Sequence, residues 1–570
     1  MKKITPAFFF FLALLATSWA LLHSGFFRVH DYVHAARIAE MLRALQDGEF
    51  PVRWTPDFGF GYGMPLFEFY APLPFYVGTF FYWLGLHIIL VLKLLFVLCS
   101  VGTFVGMYLL GKKLYGRIGG ILSAVALTVA PYRAVDLYVR GALSEAWGIM
   151  ALPWVLLGIV KVIRREKNGW LVLVFGLFLL ILSHNITTLL FFPISIVFAL
   201  GFWLSEYIRK RALIKTQVRP ILQLIGAYSL AIGICAFYIF PSLAENSFTR
   251  VNGIFTGYFH YTNHFLYYRQ FFEDRWGYGG SAIWPYNGIS YFLGYGQFFG
   301  LAVTFMTALY FFFKKIRKQF SRLTVSQFFF LFLCLGLFIF ALFMTTFKSQ
   351  FIWDALPFMV VVQFPWRWLS VATVFLSLIL GMSTYFINSK WQRGLYVGVL
   401  SIFLLMSNAR FFQPEFYLDT PEKFYYTDSG LIRTYMSQVL NDYVPKQIAF
   451  LPDPVNQLAI SHSKYGGVKV LVNKTQEKLI QTNFTIPNEQ IEVTVADFPG
   501  WKVFIDGKEV EKHIGPAGDF LVNVPQGEHT VGLVLSDSPI RFWSDAVSAV
   551  SCILLLFLVI DVRKEKKVSV

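Results

Sequence analysis

Long runs of apolar residues alternate with short polar segments along most of the chain. A membrane-spanning helix needs about 20 mainly apolar residues, and twelve runs reach or approach that length. The predicted spans are 6–27, 87–110, 116–132, 146–163, 170–183, 186–205, 220–240, 289–313, 325–346, 368–388, 393–407 and 541–561. The pattern therefore predicts a mainly α protein, a polytopic transmembrane bundle of about twelve helices.

A different pattern begins near residue 448, where apolar and polar residues alternate over short stretches, as is typical of β-strands. We predict strands at 491–495, 501–505, 519–524 and 529–535, with a turn at Asp506-Gly507. These strands predict a β-sandwich just before the last span. The domain prediction is a transmembrane module over 1–407 with a long first outer loop at 28–86, an outer region over 408–540, and a C-terminal anchor with a basic tail over 541–570.

Composition agrees with a lipid environment, because 56% of the residues are hydrophobic and only 14% are charged. The net charge of +16 could suggest a nucleic-acid partner, but the basic residues form short clusters between the apolar runs. Every second loop is basic, for example 161–167, 209–215 and 563–567. The positive-inside rule places these loops and both termini in the cytoplasm and the β-rich region outside. We expect the lipid bilayer as a partner and no nucleic acid.

The first outer loop carries Asp31, a carboxylate just beyond the first span. A carboxylate there could act as a general base, and it could equally cap the amphipathic stretch 31–45. His30 and His34 have the i,i+4 spacing that could hold a divalent metal ion together with Asp31, although no third spaced ligand follows nearby.

The second outer loop places Asp136, Arg140 and Glu145 at the membrane boundary. Asp136 and Arg140 could form an i,i+4 ion pair, or the three residues could offer one cation and two carboxylates to a phosphate or hydroxyl group.

Other polar residues interrupt the apolar runs, where they are costly unless they face a cavity or reach the interface. Lys93 could extend to the membrane surface or point into an anion-accepting cavity. His184-Asn185 separates two spans, and Arg367 opens another span, where it could anchor at the interface or reach a lipid phosphate.

A first helix followed by an outward acidic residue, a long amphipathic first loop and an outer C-terminal domain resembles the GT-C glycosyltransferase superfamily. The stretches 48–54 (which contains Arg53), 61–67, 138–141, 184–185, 364–367 and 498–503, together with Asp506-Gly507, are similar to bacterial membrane proteins labelled YfhO-like or 6-pyruvoyl-tetrahydropterin-synthase-related. The pterin label implies no such activity here, because the zinc-binding histidine set of that soluble enzyme class cannot be assembled from this sequence.

This resemblance implies transfer of a sugar from a polyprenyl-phosphate donor to a cell-envelope glycan or protein acceptor, on the outer side of a bacterial plasma membrane. It implies that Asp31 is the catalytic acidic residue and that Asp136 or Glu145 is the acidic residue of the second loop. The departing phosphate would then be stabilised with or without a divalent metal ion. The candidate substrate-binding residues are Lys93, Arg140, Arg367, Arg53, His184 and Asn185.

Two other functions fit parts of the pattern. A lipid-linked sugar flippase or transporter should carry polar residues near the bilayer midplane and often has repeated halves, whereas here the polar residues lie at the outer helix ends and no repeat is visible. A non-catalytic protein that binds envelope glycans through its β-domain is the third interpretation, and twelve spans are more than an anchor needs.

Overall fold

The computed structural model describes residues 6–210, 218–316, 322–387, 389–448, 452–464 and 466–568. Most of the predicted basic loop at 209–215 lies outside these ranges. The helices are α1 (Pro6–Ser18), α2 (His34–Gln46), α3 (Leu66–Phe69), α4 (Leu73–Trp83), α5 (Ile88–Thr128), α6 (Pro131–Ala134), α7 (Leu143–Ile163), α8 (Gly169–Ser183), α9 (Asn185–Lys210), α10 (Val218–Ile234), α11 (Ala236–Ala244), α12 (Tyr295–Ile316), α13 (Arg322–Met344), α14 (Gln350–Ala355), α15 (Leu369–Met382), α16 (Lys390–Asn408), α17 (Ser429–Leu431), α18 (Ser437–Val439) and α19 (Pro539–Val568).

Each predicted span coincides with helical structure. Within the described ranges, eight helices are long and apolar enough to cross a membrane, or nine if α10 and α11, which are bent by 70° relative to each other, form one span. Pro6–Leu22 and α8 are apolar but shorter. Helix α5 has 41 residues and is broken at Gly116, whose φ of +80° is not helical, so two predicted spans fall within it. The protein is therefore a helical membrane protein, as predicted, and the count of twelve spans stays a prediction.

The chain forms two compact units. The first comprises Met1–Asp31, Lys93–Ala231 and Phe255–Pro421, and the second comprises Tyr32–Leu92, Ile232–Ile254 and Glu422–Val570.

The core of the first unit is formed by α7 and α15. Every residue of α15 is buried, and it packs against α12 and α13, while α7 packs against α8 and α9. Glycines allow the closest of these contacts: a Cβ at Gly176 of α8 would lie 2.6 Å from the backbone nitrogen of Val155 in α7. Small residues at helix contacts are the usual way to bring membrane helices together, because lipid tails are as apolar as leucine.

The second unit combines helices with two antiparallel sheets. Helix α2 packs on α4, and α11 packs on α3 and α19. The strands of this unit are β3 (Ala459–Ser461), β4 (Gly466–Asn473), β5 (Glu477–Phe484), β6 (Glu489–Val493), β7 (Trp501–Ile505), β8 (Lys508–Val510), β9 (His513–Ile514), β10 (Phe520–Val524) and β11 (Gly527–Leu535). Their order is β3-β6-β10-β9 in one sheet and β4-β5-β11-β7-β8 in the other. Burial alternates along β5 and β10, so each sheet has one apolar face, the pattern of a sandwich.

The predicted hairpin at Asp506-Gly507 is confirmed. The strands β7 and β8 are joined by these two residues, whose φ angles are +49° and +78°. A two-residue turn with both φ angles positive matches the right-handed twist of the strands, and Asp-Gly is a favoured sequence for it. The β-rich region thus lies where the alternation predicted it, directly before α19.

Candidate active site

The backbone before Asp31 is fixed against the second predicted outer loop. In the first unit, β1 (Phe26–Phe27) pairs with β2 (Tyr417–Leu418). The chain then runs along the residues before α7: the His30 N–H donates to the carbonyl oxygen of Val139 at 3.2 Å, and the Asp31 N–H donates to that of Arg140 at 2.8 Å. Two consecutive backbone contacts therefore hold Asp31 beside Arg140.

The segment Val135–Arg140 is a π-helix that ends at Gly141 in the left-handed conformation, with φ of +63°. Short π-helices of this kind are rare, and they frequently occur at functional sites. A side chain at Gly141 would collide with Val29, two residues before Asp31. Glycine is required here both for the backbone conformation and for the close approach of the Asp31 segment.

Arg140 lies between two carboxylates. Its Nη1 donates to Asp136 Oδ1 at 2.5 Å and to Glu145 Oε2 at 2.8 Å, and the Tyr132 hydroxyl donates to Glu145 Oε1 at 2.6 Å. The carboxylates are fully buried, and the Arg140 side chain is 10% exposed. The predicted i,i+4 pair of Asp136 and Arg140 is thus observed, and Glu145 joins it; binding of a phosphate or hydroxyl group by these residues stays a prediction.

Arg367 brings a second cation from the start of α15. Its Nε lies 3.4 Å from Glu145 Oε2, and its Nη1 donates to the Val362 carbonyl at 2.8 Å. Neighbouring Trp366 lies under the other arginine, with its ring centroid 4.6 Å from Arg140 Cζ. Two guanidinium groups therefore share the Glu145 carboxylate, and Arg140 also pairs with Asp136.

The Asp31 side chain differs from the other carboxylates. It is half-buried, and it makes no hydrogen bond or ion pair with any residue in the described ranges. Its charge nevertheless interacts with Arg140, Arg367 and His184. We call Asp31, Asp136, Arg140, Glu145 and Arg367 the arginine cluster.

Burial controls the charge of this cluster. Burial and the nearby Glu145 carboxylate raise the pKa of Asp136 well above its ordinary value, although Arg140 opposes them. Burial therefore favours the neutral form of the Asp136 carboxyl group, whereas its ion pair with Arg140 favours the ionised form. Arg140 and Arg367 nevertheless bring two cations to the same buried carboxylate, and two neighbouring cations attract an anion.

The remaining predicted site residues of the first unit occupy different places. His184 interacts electrostatically with Glu145, and its Nδ1 lies 2.7 Å from the hydroxyl of Thr187 in α9. Asn185 is the exposed first residue of α9. Lys93 donates to the His23 carbonyl at 2.5 Å, and within the described part of the chain nothing joins it to the arginine cluster. His184 therefore interacts electrostatically with the arginine cluster.

Two predicted site residues belong to the second unit. Arg53 pairs with Asp545 at 2.6 Å, and His34 is buried with its Nδ1 3.3 Å from the Arg37 guanidinium. Asp31 does not cap α2, because that helix begins at His34 with Val33 as its N-cap. Among the described residues, no three His, Cys, Asp or Glu side chains are placed to hold one metal ion.

Sequence reasoning missed several contributors to this site. The sequence indicates an anchoring role at the membrane surface for Trp366 and no role for Tyr132, and it predicts neither the contact of Trp366 with Arg140 nor that of Tyr132 with Glu145. Ser281, which accepts a hydrogen bond from Trp366, is an isolated serine in a long loop and gave no local signal.

Glu49 of the second unit gives this unit a pH dependence. Its Oε1 accepts the N–H groups of Arg53 and Trp54 at 2.9 and 3.0 Å, while its buried Oε2 has no hydrogen-bond partner within the described ranges. Burial raises the pKa of Glu49 to about 7 against these two opposing donors. The folded state binds this proton more tightly than the unfolded state does. Protonated Glu49 therefore stabilises the folded state fully below about pH 4, and this stabilisation is lost as the pH rises through 7.

Replacing Glu49 by Gln should remove this loss, since an amide keeps the accepting oxygen and cannot ionise. We expect Glu49→Gln to be more stable than the wild type at pH 8, by about 2–3 kcal/mol, and close to it at pH 4. Thermal unfolding of the detergent-purified protein at both pH values measures the difference. Asp519, whose pKa burial also raises to about 7, titrates in both proteins and cancels. Glu511→Gln, at an exposed carboxylate, is the control; an equal gain there would contradict the assignment.

This chain has low sequence identity to the known proteins that it resembles. No protein-family model matches the chain. An uncharacterised protein of Lactococcus lactis subsp. cremoris (strain MG1363) is 26% identical over 243 residues, which is 41% of this chain and 38% of that protein.

Among solved structures, the mycobacterial arabinofuranosyltransferase AftD aligns with 71% of this chain and 26% of its own length, at 15% identity and a TM-score of 0.37. The Archaeoglobus fulgidus oligosaccharyltransferase tethered to an acceptor peptide aligns with 73% of this chain and 55% of its own length, at 11% identity and a TM-score of 0.41. The chain covers less than two thirds of each of these proteins. We therefore draw the function from the chain's own residues.

Proposed function

We propose that the protein is a membrane glycosyltransferase of the GT-C type, which moves a sugar from a polyprenyl-phosphate-linked donor to an extracytoplasmic cell-envelope acceptor. The observation that carries the proposal is the position of Asp31: its backbone N–H bonds to the Arg140 carbonyl, and its carboxylate has no hydrogen-bond partner in the described part of the chain. The sequence resemblance to the GT-C superfamily gives the same assignment of Asp31.

The arginines suit the phosphate of a lipid-linked donor. Arg140 lies in the second predicted outer loop, and Arg367 opens a predicted span at the outer surface. A lipid headgroup reaches both places without leaving the bilayer. Guanidinium groups bind phosphate oxygens through paired N–H donors, and low solvent exposure strengthens that attraction.

Asp31 suits the role of general base. In the proposed step, the acceptor hydroxyl oxygen forms a bond to the anomeric carbon of the sugar, and the bond from that carbon to the phosphate oxygen breaks. The hydroxyl proton passes to the Asp31 carboxylate, and the phosphate leaves with the bonding electron pair. Arg140 and Arg367 stabilise the charge that develops on the leaving phosphate.

The proposed orientation places this chemistry outside the cytoplasm. It rests on the basic loops, which the positive-inside rule assigns to the cytoplasmic side. The β-rich region before α19 then lies on the outer side, and we propose that it positions the envelope acceptor.

The test is direct measurement with the purified protein in lipid nanodiscs. Transfer of radiolabelled sugar from a panel of polyprenyl-phosphate sugars to cell-envelope fractions should be detected, and a polyprenyl phosphate should compete while the uncharged polyprenol should not. Movement of a labelled polyprenyl-phosphate sugar across proteoliposomes without any transfer would overturn the enzyme and favour a flippase. Equal competition by the polyprenol would overturn the phosphate site.

A further inference from the structure

A buried network of hydrogen-bonded side chains contacts the arginine cluster through Trp366. The Trp366 ring is 2% exposed and carries the Arg140 guanidinium on its face at 4.6 Å. A cation over an indole is held by the negative face of the ring, so the position of the ring fixes the position of the charge. The question is therefore what holds the indole.

Ser281 holds it. The Trp366 Nε1–H donates to Ser281 Oγ at 2.9 Å. The same hydroxyl lies 2.9 Å from His264 Nδ1 and 2.9 Å from the Tyr291 hydroxyl, and His264 Nε2 lies 2.6 Å from the Tyr258 carbonyl oxygen. All of these side chains except Tyr258 are buried to 5% exposure or less. One hydroxyl thus connects three side chains.

Simple chemistry assigns every hydrogen in this network. A carbonyl oxygen only accepts, so His264 Nε2 carries the hydrogen, and in a neutral imidazole Nδ1 is then an acceptor. Burial lowers the pKa of His264, which keeps the ring neutral. The Ser281 hydroxyl must therefore donate to His264, and its two lone pairs accept from Trp366 and Tyr291. The donor and both acceptor positions of Ser281 are all used.

We propose that Ser281 is a positioning residue for the donor phosphate: through Trp366 it fixes the Arg140 guanidinium in the orientation that binds the phosphate. This inference rests on the proposed function. When every hydrogen bond of the network is formed, the indole has one favoured position. The Arg140 guanidinium is then already oriented, so binding of the phosphate requires little reorganisation. Removing the hydroxyl leaves the indole N–H buried without its acceptor and frees the ring to shift.

The test compares Ser281→Ala with a matched control in the same unit. Ser349 is also a buried serine whose Oγ accepts an indole N–H, that of Trp353 at 3.2 Å, but no arginine lies over Trp353 among the described residues. We expect Ser281→Ala to bind a long-chain polyprenyl phosphate about fivefold more weakly and to raise the donor KM by a similar factor, with the acceptor KM unchanged. Ser349→Ala should change neither value.

Hydrogen–deuterium exchange provides a readout that does not depend on the enzyme assay. Amides of 135–141 should exchange faster in Ser281→Ala and stay at the wild-type rate in Ser349→Ala. If Ser281→Ala fails to fold, Trp366→Phe, which keeps a ring under Arg140 but has no N–H, should show the same changes. Wild-type affinity for the phosphate together with wild-type exchange would overturn the inference. Absence of phosphate binding by the wild type would overturn the proposed function, and the exchange rates would still decide the role of Ser281.

Discussion

Replacing Asp31 by Asn is expected to reduce sugar transfer by at least about a hundredfold and to leave binding of the polyprenyl phosphate nearly unchanged. A positioned general base typically contributes about 10²–10⁴ in rate, and an amide cannot take the acceptor proton. The substitution keeps the size of the side chain. It breaks no hydrogen bond of the Asp31 side chain, because that side chain forms none with the described residues. Folding should therefore be unaffected.

The measurement separates binding from chemistry. Transfer of radiolabelled sugar and affinity for the unreacted carrier are compared for wild type and Asp31→Asn at matched protein amounts. Asp419→Asn, at an exposed carboxylate of the same unit, is the control and should keep wild-type transfer. Wild-type transfer by Asp31→Asn would remove the general base from the proposed mechanism. Loss of carrier binding would instead make Asp31 part of the donor site.

Much of the fold could be predicted from the sequence because its signals are local. The lengths of the apolar runs predict the helices. The alternation of apolar and polar residues, together with the Asp506-Gly507 turn, predicts β7 and β8. The break at Gly116 falls where the predicted span 116–132 begins. Local patterns carry this information because a helix or a hairpin satisfies its backbone hydrogen bonds within its own segment.

The candidate site was only partly predictable, because its geometry depends on contacts that are distant in sequence. Asp136, Arg140 and Glu145 are close in the chain, and their association was foreseen. The π-helix that aligns them and the contact of Arg140 with Trp366 were not. Ser281 and Trp366 are 85 residues apart, and nothing near Ser281 indicates which indole it will meet.

The same limit applies to two ion pairs of the second unit that share the Asp57 carboxylate. The Asp57 side chain is fully buried and forms ion pairs with Arg43 of α2 and with Arg433, at 2.7 Å for the latter, a residue 376 positions later. The backbone N–H of Asp57 donates to Glu40 at 2.9 Å. One carboxylate therefore joins α2 to the segment that precedes the β-sheets.

Replacing Asp57 by Asn is expected to destabilise the second unit by about 3–5 kcal/mol. The loss arises because two arginines would keep their charges in a poorly solvated place without the carboxylate that pairs them. For a unit of this size the unfolding temperature should fall by about 10 °C, as measured on the detergent-purified protein by differential scanning fluorimetry at pH 7. Asp506→Asn is the matched control, because Asp506 pairs with His529 at the exposed hairpin and its loss should change the unfolding temperature little.

The difference in unfolding temperature between wild type and Asp57→Asn should depend on pH, and this dependence identifies the physical origin of the difference. Burial alone would raise the pKa of Asp57, but Arg43, Ser429 and Arg433 together hold it below its ordinary value of 3.8. A lowered pKa in the folded state means that the stabilising contribution of Asp57 is present above about pH 4 and is lost as the pH falls through the folded value. The gap in unfolding temperature between wild type and Asp57→Asn should therefore narrow as the pH falls below about 4. A gap that stayed constant in acid would mean that Asp57 acts through packing, because the ionised and protonated carboxyl groups fill the same space and only the ionised form pairs with the two arginines.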